Sequence, residues 1–115
     1  MTTTATLPVR TKAEKAWVSE GLSLEMDPAT KLFQVMSHNS PKTYHPSAGM
    51  FDDGLQVRCD CVKGAIDHNA KVAVARCKHA AGLCRTLEVS GMLVFDSGQM
   101  TWVASPAVAA AMVAA

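Results

Sequence analysis

The segment "VRCDCVKGAIDHNAKVAVARCKHAAGLC", Val57 to Cys84, holds all four cysteines of the chain and two of its four histidines. Cys59 and Cys61 lie one residue apart, Cys77 and His79 repeat that spacing, and fifteen residues separate the pairs. The pattern is C-x-C-x15-C-x-H. A structural zinc ion takes four soft or borderline ligands in a tetrahedron, usually as two close pairs on different elements. On an extended segment, residues two apart face the same side, so Cys59 and Cys61 can reach one ion. Cys77 and His79 stand where a helix should begin. The free N–H groups and positive dipole end there favour a thiolate at Cys77. Three thiolates and a neutral imidazole leave one net negative charge around Zn²⁺, and Arg58, Lys63, Arg76 and Lys78 flank the ligands to offset it.

The remaining cysteine and histidines read differently. Cys84 shares a helical face with Leu83 and Leu87, which makes it a core thiol. His68, between Asp67 and Asn69, is expected at the surface and is the reserve ligand to His79. His38 and His45 flank a turn without a nearby cysteine and receive no role. A disulfide between Cys59 and Cys61 is too short for an extended strand. No C-x-x-C occurs, so redox chemistry ranks below metal binding.

The flanking chain supplies the elements. "TKAEKAWVSEG" puts Ala13, Ala16, Trp17 and Glu20 at helical spacing, with Thr11 as N-cap and Glu14 completing a capping box. This predicts a helix near 11–20, with Leu22 and Leu24 leading out. "EMDPAT" reads as a turn and "KLFQVMS" (31–37) as a strand. "HNSPK" reads as a turn, "TYHPS" as a short edge strand limited by Pro46, and "AGMFDDG" as a loop. "LQVRC" alternates and delivers Cys59 inward. "KGAIDHNAK" is loop-like, and "VAVA" suits a small strand or turn. From Cys77 a helix is expected, with Ala80, Leu83, Cys84 and Leu87 on one face. "MLVFDSGQMTWVA" predicts a hairpin over 92–104, and the alanine-rich end a final helix after Pro106.

The ligand spacing, with these strands before it and "CKHAAGL" after it, resembles the SWIM-type zinc finger, a compact ββα unit marked by C-x-C, a variable insert and C-x-H. The resemblance spans about Lys31 to Glu88. It implies that Cys59, Cys61, Cys77 and His79 hold one structural zinc. The insert departs from the family, lacking its frequent aromatic and proline after C-x-C. SWIM domains occur in bacterial Swi/Snf-type ATPases and Mutator-type transposases, where DNA or protein binding is proposed for them. The expected fold is α+β: a small zinc-stabilised ββα finger with a lead-in helix and a C-terminal β-hairpin. The expected layout is a flexible 1–10, a single domain over 11–104 with its finger core at about 31–88, and a tail at 105–115.

Composition bounds the function. A chain of 115 residues suits one domain. It is 49% hydrophobic but only 5% aromatic. Much of the apolar content is alanine, so the core should be thin and a bound metal should matter to stability. The net charge is +1. Between Leu55 and Ser90, however, six basic residues (Arg58, Lys63, Lys71, Arg76, Lys78, Arg85) face three acidic ones. The cysteine segment is thus the positive part of the protein. Arg58, Lys63, Lys71 and Lys78 are the candidate nucleic-acid contacts, with DNA favoured over RNA. The alternative is an adaptor that binds protein through the hairpin and tail. No export signal or membrane span is read, so a cytosolic location with reduced thiols is expected. Four protein ligands close the zinc site, so neither an enzyme nor a small-molecule substrate is expected. A three-ligand open site is the remote alternative.

Overall fold

The computed structural model describes residues 7–30, 32–37, 40–51 and 54–108. It is a mixed α+β arrangement of three helices and three small antiparallel sheets. Helix α1 (Lys12–Ser19) starts as expected: Thr11 Oγ1 accepts from the Glu14 N–H at 3.1 Å, and Glu14 Oε1 accepts from the Thr11 N–H at 3.1 Å. The reciprocal bonds satisfy two donors that a helix start leaves orphaned. Strands β1 (Ser23–Met26), β2 (Phe33–Ser37) and β3 (Ser40–Tyr44) follow as one sheet, pairing Leu24 with Val35 and Val35 with Tyr44. Strands β4 (Ser47–Phe51) and β5 (Gly54–Arg58) form a hairpin. Helices α2 (Val62–Asn69) and α3 (Lys78–Val89) come next. Strands β6 (Leu93–Asp96) and β7 (Thr101–Ala104) close the fold as the expected second hairpin. No helix among the described residues is long and apolar enough to cross a membrane.

Four local expectations are corrected. "AGMFDDG" is not a loop up to Phe51, because Ser47–Phe51 is β4, held to β5 in full register from Ser47↔Arg58 to Phe51↔Gly54. "KGAIDHNAK" is not loop but α2. Its apolar residues Val62 and Ile66 face outward, so no hydrophobic face announces the helix. What holds it is polar: the Cys61 N-cap and buried Asp67, which accepts from the Arg76 N–H at 2.7 Å and its guanidinium at 2.8 Å. The turn at "EMDPAT" begins later than expected, since Glu25 and Met26 belong to β1. In "HNSPK", Ser40–Lys42 lies in β3, and the rest falls outside the described residues. Likewise the tail is described only through Val108, with helical residues at 106–108.

The core gathers around α3. Ala80, Leu83 and Cys84 are fully buried, with Val57, Val74, Leu93 and Trp102 packed in the same cluster. Helices α1 and α3 approach closely because Gly82 lacks a side chain: a Cβ there would lie 2.3–2.4 Å from ring carbons of Trp17. A second, polar anchor crosses this interface. Buried Arg85 on α3 pairs with buried Glu14 on α1 and donates to the Pro8 and Leu7 carbonyls at 2.9 and 3.2 Å. Arg10 binds Glu88 through two bonds of 2.7 and 3.0 Å, and its guanidinium lies 4.0 Å from the Phe95 ring centroid. Trp102 Nε1 donates to Glu88 at 2.9 Å, tying β7 into the same network. Each charge has a partner, as burial demands.

Gly82→Ala adds helix propensity of about 1 kcal/mol. The clash with Trp17 should outweigh it, giving net destabilisation of about 1–3 kcal/mol. Urea unfolding of Gly82→Ala and of Gly82→Ala/Trp17→Leu measures this, and the double variant should recover part of the loss. Glu14→Gln, which leaves Arg85 buried without its counter-charge, should cost about 3–5 kcal/mol.

The acid side of the stability curve follows from two other carboxylates. A hydrogen bond from Arg10 holds Glu88 below its ordinary value of 4.5, and one from Arg76 holds Asp67 below 3.8. Their contributions are complete above those ordinary values and are lost as pH falls through the lower folded ones. The urea midpoint should therefore hold down to about pH 5 and drop below it, less steeply in Glu88→Gln.

Candidate metal centre

Three elements converge on the cluster. Strand β5 ends at Arg58 and hands on Cys59, Cys61 is the N-cap of α2, and Cys77 is the N-cap of α3. His79 sits in the first turn of α3. All four side chains are buried, and one ligand atom from each lies within 4.8 Å of the others. A tetrahedral zinc with Zn–S of about 2.3 Å separates ligand sulfurs by roughly 3.8 Å, so the arrangement is the right size for one ion. It is the only such group of His, Cys, Asp or Glu among the described residues. His79 joins the cluster, whereas His68 is exposed on α2, so the reserve ligand is not used. Cys84 is a fully buried core thiol outside the cluster, and burial pushes its pKa up.

The sulfurs are solvated by backbone. Cys61 Sγ accepts from the Gly64 N–H at 3.3 Å, and Cys77 Sγ from the Ala80 N–H at 3.4 Å. Two helix N-termini thus direct their orphan donors and positive dipole ends at the same cluster, which suits thiolates. Cys77 is the most acidic thiol, lowered to about 4, chiefly by a hydrogen bond from Cys59, with His79 and the Ala80 N–H adding to it. Cys59 is correspondingly raised by that same contact and by burial, and Cys61 is raised mainly by burial. The His79 Nδ1 is buried and has no hydrogen-bond partner. A buried imidazole nitrogen without a protein partner is costly unless an ion completes it. The donor set, the N–H···S bonds and this nitrogen all fit a bound metal of zinc's size and softness.

Neighbouring residues fix the ligands in place. The Tyr44 ring stacks on the His79 imidazole at 4.3 Å between centroids. His45 reaches the middle residue of the C-x-C: its N–H donates to Asp60 Oδ1 at 2.8 Å, and its Nδ1 lies 2.8 Å from Oδ2. The end of β3 therefore clamps both halves of the cluster, a role that sequence reasoning did not assign to His45. Gly64 is equally specific, since a Cβ there would lie 2.4 Å from the Cys59 carbonyl oxygen. A glycine three residues after the second cysteine was the available signal for that close approach.

Three cations of this segment are held by carboxylates. Arg76 pairs with Asp67, Lys78 with Glu20 at 2.7 Å, and Arg85 with Glu14. Half of the six basic residues in the segment are thus committed to carboxylates. Arg58 donates to Gln56 at 2.6 Å, and Lys63 and Lys71 are exposed.

Scans against protein-family models, curated proteins and solved structures find no match to this chain.

Metal analysis of the purified chain should return one zinc per molecule. Cys59→Ser, or chelation, should abolish binding and much of the helical circular dichroism. Gly64→Ala keeps all four ligands, yet it should release zinc to a chromophoric chelator at least about tenfold faster. Full helical signal without metal would refute a structural role.

Proposed function

We propose that the chain is a non-catalytic binding module built on a structural zinc held by Cys59, Cys61, Cys77 and His79, in the manner of the SWIM-type ββα finger it resembles. We further propose that it works by recognising protein through its C-terminal hairpin. Four protein ligands leave the ion no open position, so it orders the chain rather than activating water. The observation that carries protein recognition is the hairpin itself. Among the described residues, strands β6 and β7 pair only with each other, and Met92, Val94, Met100 and Val103 stand exposed on or beside them. Unpaired strand edges flanked by apolar side chains are templates for another strand.

Nucleic acid, DNA above all, is the second reading. Its support is the exposed trio Arg58, Lys63 and Lys71, none of which has a carboxylate within ion-pair distance among the described residues. Lys78, the fourth candidate, is already engaged by Glu20. A cytosolic setting suits either reading, since the ligand thiols must stay reduced.

Anisotropy titrations with labelled random-sequence duplex DNA and single-stranded RNA separate the two. Protein recognition predicts binding no tighter than the non-specific range of about 10⁻⁴–10⁻⁶ M, and none that depends on the trio. Tighter binding that falls steeply with salt, and is lost in Arg58→Ala/Lys63→Ala/Lys71→Ala, would transfer the function to nucleic acid.

A further inference from the structure

A groove of about 1050 Å³, mostly apolar, is lined by residues of the C-terminal hairpin and of the end of the insert. Its lining includes two runs of consecutive residues, 72–76 and 99–104. The face of a strand would contribute alternate residues, whereas consecutive ones indicate strand edges.

The hydrogen bonds bear this out. In the insert, the Val57 N–H donates to the Ala73 carbonyl at 2.8 Å and the Ala75 N–H to the Val57 carbonyl at 2.9 Å. That is a parallel bridge centred on Val74, so the N–H and C=O of Val74 point away from β5. Beside the other run, the Ser105 N–H donates to the Met92 carbonyl at 3.0 Å. With the register Leu93↔Ala104 to Asp96↔Thr101, this places the hydrogen-bonded pairs at 94/103 and 96/101. Trp102 and Ala104 therefore turn their N–H and C=O away from β6. Two strand edges whose outward backbone groups have no partner among the described residues border one groove.

The rim has a sign. Among the described residues lining the groove, Arg10, Lys12, Lys63 and Arg76 are basic and none is acidic. Arg10 and Arg76 hold carboxylates of their own, while Lys12 and Lys63 are exposed and make no ion pair among the described residues.

We propose that this groove takes an extended protein segment with apolar side chains and acidic flanks, which lies along the outward edges of Val74 and β7. Main-chain bonds to Val74, Trp102 and Ala104 supply the pairing, the apolar lining takes alternate side chains, and Lys12 and Lys63 meet the acidic flanks. The proposal rests on the protein-recognition reading and names its site and partner chemistry.

The test uses the zinc-loaded full chain, labelled with ¹⁵N, and three synthetic ten-residue peptides. One alternates valine and threonine between glutamates. The second replaces its glutamates with lysines. The third is the acidic peptide with alternate backbone nitrogens methylated. The acidic peptide should shift the amide signals of Val74, Trp102 and Ala104. The lysine and N-methyl peptides should each bind at least about tenfold more weakly. Ala104→Pro removes an outward N–H without touching a β6–β7 bond and should weaken binding about tenfold, whereas Ala104→Val should not. Zinc content and circular dichroism establish that each variant folds. Equal binding of the N-methyl peptide overturns the proposal even if Ala104→Pro fails to fold. Shifts confined to the outer edge of β6 overturn the groove but leave protein recognition standing. No shift with any peptide overturns both. Self-association abolished by Ala104→Pro, seen by sedimentation, would assign the groove to a second copy and overturn the proposal as stated.

Discussion

The constraint on which the rest depends is the placement of α3, a helix whose buried face is largely small. Ala80, Ala81, Gly82 and Cys84 fill much of the side that faces the core. Small residues permit close approach, as Trp17 against Gly82 demonstrates, but each contributes little burial free energy. Such a helix needs anchors that do not scale with apolar area, and it has two. At its N-terminus Cys77 and His79 join the buried cluster with Cys59 and Cys61. In its C-terminal half Arg85 and Glu88 tie it to Arg10, Glu14 and Trp102.

The two anchors work by different physics. The ion-pair network is specific rather than strongly stabilising. Its charges were solvated before folding, and their attraction roughly repays desolvation. It penalises every arrangement in which α1, α3 and the second hairpin meet otherwise. A bound metal is different, because its free energy appears only when the ligands are assembled and so counts as folding free energy. The cluster is prepared for that step by backbone: both N-cap sulfurs already accept N–H bonds, and Tyr44 and His45 hold the imidazole and the C-x-C. Ordering the ligands in advance lowers what the ion must supply.

What was legible in the chain was whatever depends on close spacing. The cysteine and histidine pairs, the Thr11–Glu14 capping box, the α3 face and the second hairpin all rest on residues a few positions apart. Helix α2 was not legible, because its inward residues are Gly64 and Asp67 and its apolar ones face solvent. Strand β4 was hidden for a related reason: "SAGMF" is a poor strand former that exists through its ladder with β5. The partners of Arg85 lie 71 to 78 residues away, and His45 meets Asp60 across 15. Contacts of that range leave no local mark. Net charge misled for the same reason. The positive charge counted between Leu55 and Ser90 includes Arg76, Lys78 and Arg85, each of which folding commits to a carboxylate.

The insert links these observations. Its fifteen residues run between the two ligand pairs, so assembling the cluster closes a loop whose entropy would otherwise oppose order. Within that loop Asp67 captures Arg76 and fixes the path of residues 72–76. Those residues lie along β5 on one side and present the edge of Val74 on the other. An open strand edge is normally a hazard that proteins cover, charge or shorten. Here the edge is short, and basic residues stand on the rim it faces. Basic residues on such a rim discourage edge-to-edge pairing with a second copy, whose own rim is equally basic, while leaving an acidic strand welcome. The same piece of chain is therefore closed by the cysteine–histidine cluster, braced by a buried carboxylate and exposed along one edge. Under the proposed function, ordering that edge is what a bound metal would contribute to recognition.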